Sequence, residues 1–547
     1  MKTFFKWLGI IIGSLILLLI IVAGILYWYF SPDYSSGGIL SENQAQYDVL
    51  HYNINLEIDA QEETIDGYTI INIKSTSDSL DVLEFDLLDN FDISNIEIDD
   101  VTIKSFTHVD YKLLIDAGKT WQKNDQIKIK IVYRGSPPEA KRPPWVGGFV
   151  WEKDENENDW VGLACQGEGG KIWFPCKDHP SDEPDSAAIN ITVPEDYFVA
   201  ANGLLRKESY PKPGHKTYHW FTGYPINNYL INFGMGKFEK VEKKYLTESG
   251  KEMPVVFYVL PQMRFGADSL LDQAVDMLES YRKFFGEYPW TDEKLGLLNT
   301  SFLGMEHQTI IAYGNKYHNR TIGDLSFDQL LLHELGHEWW GNKVTAGDWG
   351  DFWIQEGICT YGEALYVLDK SGEEAYHEYM RRFQRRIWNR SPIASPKNTT
   401  SNDAYSGDIY TKGAAFMHTL RFVIGDSVFF PTLKQFATDS AYTFHNFVST
   451  NDLLNLVNKN SGMALDSLFN LYLYTTDYPQ IRIDSLSANS FNVSIPNINF
   501  NLPMEVSYNG ITDTLQIGKQ TIQITSDSRP VVDEKNWYLK EVAKTDE

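Results

Sequence analysis

The hydrophobic period changes twice along this chain, and that change limits its fold more than any other feature. In HYNINLEID, residues 51–59, Tyr52, Ile54, Leu56 and Ile58 alternate with polar partners, as Ile127, Ile129 and Ile131 do with Lys128 and Lys130. Such alternation marks half-buried antiparallel strands, and similar runs continue to about Lys240. From Ala267 the pattern becomes helical: Leu270, Leu271, Ala274, Met277, Leu278 and Tyr281 fall on one stripe. Helical patterns dominate to about Leu473. After Tyr478 and Pro479, short alternating runs flank Asn509-Gly510, a hairpin turn pair. Strands and helices in separate blocks predict an α+β multidomain chain. The expected parts are an N-terminal antiparallel β domain over 47–240, a mostly helical domain over 241–476 and a small C-terminal β-sandwich over 477–547. A length of 547 residues agrees with several domains at ~150 residues each.

Residues 1–46 precede the first alternation. Trp7 to Phe30 reads WLGIIIGSLILLLIIVAGILYWYF, with Ser14 the one clearly polar side chain. At ~1.5 Å per residue this run is long enough for a ~30 Å hydrocarbon core. A signal-peptide core is ~7–15 residues long and ends at small residues. This run is longer and closes on Tyr27, Trp28, Tyr29 and Phe30, rings suited to a membrane interface. The expectation is therefore one transmembrane helix anchoring the chain in a membrane. Lys2 and Lys6 precede the span and Asp33 and Glu42 follow it, which places the N-terminus in the cytoplasm and the remainder in the periplasm or outside the cell. Ser31–Gln46, polar and containing Gly and Ser, reads as a short tether. A chain starting near Ser41 should then keep every strand and every site residue.

Apolar residues at 43% and charged residues at 22% are globular values. Lys and Arg number 48 against 74 Asp and Glu, a net charge of −26. Such a surface repels phosphate backbones, so no nucleic-acid partner is expected. The cysteines, Cys165, Cys176 and Cys359, are too few for a four-thiolate zinc site. A Cys165–Cys176 bridge and free buried thiols both remain open.

The chemistry lies in FDQLLLHELGHEWW, residues 327–340. Ser326 and Gln329 make a plausible capping box opening a helix. On that helix His333 and His337 share a face at i and i+4 and can chelate one ion, while Glu334 reaches a water on it. With 12 histidines in the chain, this pattern arises by chance in roughly one chain in fifty of this length. A third ligand is needed to decide. Glu356, in a second helix expected to begin near Phe352 or Trp353, supplies one. Two imidazoles and a carboxylate leave a fourth position open, the pattern of a catalytic zinc site with one Zn²⁺ per chain.

HELGHEWWGNKVTAGDWGDFWIQEGICTYGE resembles the signature of the M1 family of zinc aminopeptidases, the gluzincins of the aminopeptidase N and leukotriene A4 hydrolase group. The resemblance extends from about Tyr47 to the C-terminus and implies a thermolysin-like catalytic domain. Phe302-Leu303-Gly304-Met305-Glu306-His307 is similar to the family's Gly-x-Met-Glu-Asn motif. It implies that Gly304 and Met305 line the substrate and that Glu306 holds its free α-amino group. Leu303 and His307 depart from the motif. The asparagine replaced by His307 is thought to fix substrate backbone, so altered preference is expected. Thr309–Tyr313 reads as a strand forming a rim for the peptide. Tyr410-Thr411-Lys412-Gly413 resembles the family's Tyr-x-Lys-Gly, which makes Tyr410 the donor to the oxyanion. Gln166, nine residues before Pro175, matches a family position that helps hold the amine, with Glu168 as its alternative.

The resemblance implies a metallo-aminopeptidase acting on peptides with free N-termini. A zinc-activated water attacks the first peptide bond, with Glu334 as general base and Tyr410 and zinc at the oxyanion. Glu363, on the same helical face as Glu356, either orients a zinc histidine or is a solvated acid. The rivals are a zinc endopeptidase, which has no use for Glu306, and a non-catalytic peptide-binding protein on the same scaffold.

Overall fold

The computed structural model describes residues 2–31 and 34–542, and within the first helix it leaves out the side chains at 2, 3, 6, 8–10, 13 and 27. Met1, Pro32, Asp33 and positions 543–547, which belong to the expected anchor, tether and C-terminal domain, lie outside the described residues.

Tyr47–Asp59 starts an eight-stranded sheet because the apolar side chains of its alternating run point one way: Tyr52, Ile54, Leu56 and Ile58 are buried. The sheet runs Leu204–Ser209, His215–Thr222, Ser186–Pro194, Tyr47–Asp59, Thr64–Ser75, Gln126–Gly135, Phe91–Ile98, Val101–Ile103. Most neighbours are antiparallel, as the alternation predicts. One pair is not: Tyr47–Asp59 lies parallel to Ser186–Pro194, with His51 opposite Ser186. Parallel pairing needs a long crossover, and here the crossover carries most of the intervening domain. A four-stranded sheet and a three-stranded sheet complete this β part.

The catalytic part opens on a sheet that its helical periodicity conceals. Glu239–Leu246, Glu252–Val259, Leu295–Asn299, Ile311–Tyr313 and Gly304–Met305 pair in that order. Its central pairs are parallel, and Gly304–Met305 closes the edge antiparallel to Ile311–Tyr313. Residues 309–313 are therefore not the rim expected from the sequence. They are buried inside the sheet, and the edge is Gly304–Met305.

The helices are α1 (Lys2–Phe30), α2 (Ala267–Phe285), α3 (Gln329–Gly336), α4 (Trp353–Gln384), α5 (Ser401–Ala404), α6 (Gly407–Ile424), α7 (Asp426–Thr438), α8 (Thr450–Ser461) and α9 (Asp466–Leu473). In α2 every residue of the predicted stripe is buried. C-terminal to α9 stand two small sheets of four and three strands. Tyr508 faces Ile511 across a tight hairpin, where Asn509 and Gly510 have φ of 49° and 77°. Both positive values are what a two-residue turn of this twist demands, and Asn-Gly accepts them.

Among the described residues, no helix is long and apolar enough to cross a membrane. The transmembrane helix expected from the sequence is thus not borne out by the fold.

The tether expectation is also corrected. Ser36 is 2% exposed, and its backbone joins both halves of the molecule. Its N–H donates to the Gly167 carbonyl at 2.8 Å and its carbonyl accepts from Ser401 N at 3.0 Å. Its hydroxyl donates to Asp178 Oδ1 at 3.0 Å, and Lys171 Nζ donates to the Ser35 carbonyl at 2.7 Å. Gly37 passes so close to Trp349 that a Cβ there would stand 2.3 Å from the indole. Polarity suggested a solvated linker, yet the polar groups are spent on protein partners. The segment is a strap.

Candidate active site

Asp328, not Ser326, caps α3: its carboxylate accepts from Leu331 N at 3.0 Å. Ser326 is held in the strand Leu325–Phe327, so the expected capping box does not form. Buried Leu331, Leu332 and Leu335 pin the helix to the core. His333 therefore faces α4, and His337 follows at the C-cap in right-handed helical geometry. The second helix begins at Trp353, as predicted, and turns Glu356 toward both imidazoles.

The three donor atoms converge. His333 Nε2 lies 3.3 Å from Glu356 Oε2, His337 Nε2 lies 3.2 Å from the same oxygen, and the two Nε2 atoms are 3.3 Å apart. Ligand atoms on a zinc tetrahedron with ~2.1 Å bonds stand about 3.4 Å apart. The donor set fits the metal. The other ring nitrogens are already bound: His333 Nδ1 meets Glu363 Oε1 at 3.0 Å and His337 Nδ1 meets the Trp340 carbonyl at 2.8 Å. These contacts set both rings with Nε2 toward the metal position. Glu363 also accepts from Gln329 and Tyr379, so it orients a histidine and is not a solvated acid. Cys359 brings a sulfur near both histidines, the three candidate atoms lying within 4.8 Å. Its Sγ, however, donates to the His333 carbonyl at 2.8 Å, and Glu356 is the nearer third donor.

A cavity of about 370 Å³ opens on this triad and is also lined by Gln166, Gly304, Met305, Glu306, Glu334 and Tyr410. Every site residue predicted from the sequence thus reaches one space. Gln166 Nε2 donates to Glu306 Oε1 and lies 3.3 Å from Glu356 Oε1. Its alternative, Glu168, instead accepts from Gly147 N at 2.7 Å and does not line the cavity. A Cβ at Gly304 would stand 2.7 Å from Glu334 Oε1 and press on that carboxylate. The Tyr410 ring stacks on His333 with centroids 5.8 Å apart.

Burial dominates the electrostatics. It pushes Glu334 up to about 8, against the pull of His333 and His337. It also raises Glu306, opposed by His337 and reinforced by Glu356. Burial acts the same way on Glu356, but His337 and His333 outweigh it and hold that carboxyl well below the usual range. Tyr410, buried beside Glu356, keeps its proton.

His307 does not take the asparagine's expected place. It is fully buried, its Nε2 accepts from Asn232 Nδ2 at 2.9 Å, and burial drives it down to about 3. A neutral histidine outside the cavity touches no substrate. The sequence reading also missed a buried brace. Asn342 Nδ2 donates to the Glu306 carbonyl at 2.9 Å and to Glu338 Oε2 at 3.2 Å. Glu338 in turn accepts from Trp290 Nε1 at 2.6 Å and Thr309 N at 3.1 Å. Together they fix the segment carrying Glu306. Glu338 follows the second zinc histidine directly, and that adjacency was the available signal. The three cysteines are free and buried.

Two family models match the chain, the peptidase M1 N-terminal domain over residues 49–230 and the peptidase family M1 domain over residues 270–472. Aminopeptidase N of Lactococcus lactis subsp. lactis is 24% identical over 85% of this chain and 56% of its own length. Aminopeptidase B of Mus musculus is 24% identical over 59% of this chain and 49% of its own. The chain thus spans about half the length of these curated relatives. A crystal structure of an M1 zinc metallopeptidase from Deinococcus radiodurans superposes with a TM-score of 0.67 at 21% identity, covering 79% of this chain and 95% of that one. The histidine and carboxylate donors described above all fall within the second of the two matched domains: the chain belongs to peptidase family M1.

Proposed function

We propose that the protein is a zinc aminopeptidase that removes the N-terminal residue of peptides. The carrying observation is the bridge of Gln166 to Glu306 and Glu356. Glu306, which we read as the holder of the amine, thus lies beside the metal donors, within one cavity walled by both domains. An endopeptidase must let the chain run past that point; here carboxylate and amide close it. The aminopeptidase names of the relatives agree with this reading.

His333, His337 and Glu356 would hold the zinc, which supplies a Lewis acid and lowers the pKa of a water. Glu306 and Gln166 hold the substrate ammonium by charge-assisted hydrogen bonds. Glu334 takes the proton of the attacking water and returns it to the leaving amine. The Tyr410 hydroxyl donates to the oxyanion that forms on the carbonyl. The test is hydrolysis of free-amine against N-acetylated peptides, before and after chelation. Internal cleavage of the acetylated peptides would move the assignment to endopeptidase, and absence of hydrolysis to a binding protein.

We also propose that α1 is a single-pass anchor, with the N-terminus in the cytoplasm and the catalytic part outside. Its 29 residues would reach about 43 Å. Leu15, Leu19 and Ile20 are more than half exposed, and apolar surface of that extent requires a cover. Lys141 and Arg142 lie over the rings of Trp28 and Phe30 at 4.8 and 4.4 Å, a pairing suited to the headgroup layer. Fractionation with the membrane, and protection of a tag on Met1 from external protease, test it.

A further inference from the structure

A second cavity, of about 530 Å³, shares Leu303, Leu330, His333 and Tyr410 with the first. Those shared residues line the join between the two. On one side stand Glu306, Glu334 and Glu356; Arg142 is also there, at the rim over the Phe30 and Trp145 rings. On the other stand Arg320, Arg386 and His318, with Glu363 the one carboxylate among the described lining residues. Glu363 is occupied by His333, Gln329 and Tyr379. The guanidiniums of Arg320 and Arg386 enter no ion pair among the described residues, unlike neighbouring Arg382, which pairs with Glu378 at 2.5 Å. Both arginines line the same cavity, where the remaining carboxylate, Glu363, is already taken. A further group there lacks a partner: Thr360 is 3% exposed, lines the cavity, and its Oγ1 makes no hydrogen bond.

The cleft is therefore polar along its length, acidic at one end and cationic at the other, with His333 and Tyr410 between. A substrate whose amine lies at Glu306 and whose first carbonyl lies at Tyr410 extends its leaving fragment into the second cavity. We infer that Arg320 and Arg386 form a subsite for a carboxylate carried by that leaving fragment, which makes short peptides with a free C-terminus the preferred substrates. The inference rests on the aminopeptidase reading for its direction. Guanidinium groups suit the task because their paired donors match the two oxygens of a carboxylate.

The test compares a tripeptide as free acid, the same tripeptide as C-terminal amide, and an amidated version with Glu at its second position. For the unaltered enzyme we expect the acid to exceed the amide at least tenfold in kcat/KM, mostly through KM. In Arg320→Gln and Arg386→Gln that ratio should fall about tenfold. Recovery of the rate by the Glu-containing amide shows that a side-chain carboxylate serves as well; no recovery assigns the subsite to the terminal carboxylate. Equal cleavage of acid and amide, with no gain from Glu, overturns the inference, as does an acid-to-amide ratio that both variants leave unchanged. If the unaltered protein cleaves none of the three, the aminopeptidase reading fails separately. Calorimetric binding of acid against amide, in unaltered and Arg386→Gln protein, then decides the subsite.

Discussion

At the scale of single residues, the metal donors were legible because helical geometry translates spacing into direction: i and i+4 share a face. Glu334→Gln should retain zinc, measured by atomic absorption, and lose about 10²–10⁴ of the rate, since an amide cannot take the water's proton. Tyr410→Phe should lower kcat by about 10²–10³ with the metal in place. Glu306→Ala should cost a factor of roughly a hundred to several thousand in kcat/KM on free-amine peptides. Acetylating the substrate should cost as much, and the two losses should not multiply, because they delete one interaction. A protein indifferent to Glu306→Ala would return the endopeptidase reading. Residues that act through packing were not legible. His307 sits in the motif and reads as a substrate contact, yet it points at Asn232. Glu338 and Asn342 act on a segment 29 and 36 positions earlier, and no local pattern announces such a reach.

At the scale of elements, strands and helices with one buried face were read well, α2 and the Asn509-Gly510 hairpin among them. The central catalytic sheet was partly missed because Leu295–Asn299 and Ile311–Tyr313 are buried on both faces, and such strands do not alternate. The strap was misread for the opposite reason: its polarity resembles that of a linker, and only its partners distinguish the two. Gly37 tests its weight. With φ at +76° and Trp349 against it, Gly37→Val should lower stability by about 1–3 kcal/mol, seen in thermal unfolding. Hydrogen exchange should quicken at residues 165–170 and 400–402, where Ser36 bonds. A chain starting at Ser41 should show the same exchange pattern, contrary to the expectation from the sequence alone. Unchanged exchange in both would mean that the strap rests on the cleft without holding it.

For the whole molecule, a pH dependence is expected at the joint between the domains. Glu183, from the β part, accepts from Thr345 Oγ1 at 2.6 Å in the catalytic part. Burial pushes its carboxyl up to about 8 from 4.5, with a smaller rise from Asp182, against the Thr345 hydrogen bond. A raised pKa in the folded state favours the protonated form, so this contribution is complete below about pH 4.5 and is lost as pH rises through 8. Glu183→Gln should remove that loss, with a difference of a few kcal/mol by pH 9. Thermal unfolding from pH 5 to 9 measures it, and parallel curves for the two proteins would exclude Glu183 as the cause.

The strap also sets an order of events in biosynthesis. Ser36 and Ser401 are 365 positions apart, and at ~5–20 residues per second the ribosome needs roughly 20–70 s to bridge them. From the time Asp178 is made until Ser401 follows, the groove between Gly167 and Asp178 is complete on one side only, while the segment meant to fill it has already been made. The strap, made early, is thus among the last segments to complete its contacts, and a nascent chain stalled before α5 holds it against Gly167 and Asp178 without Ser401 to close it.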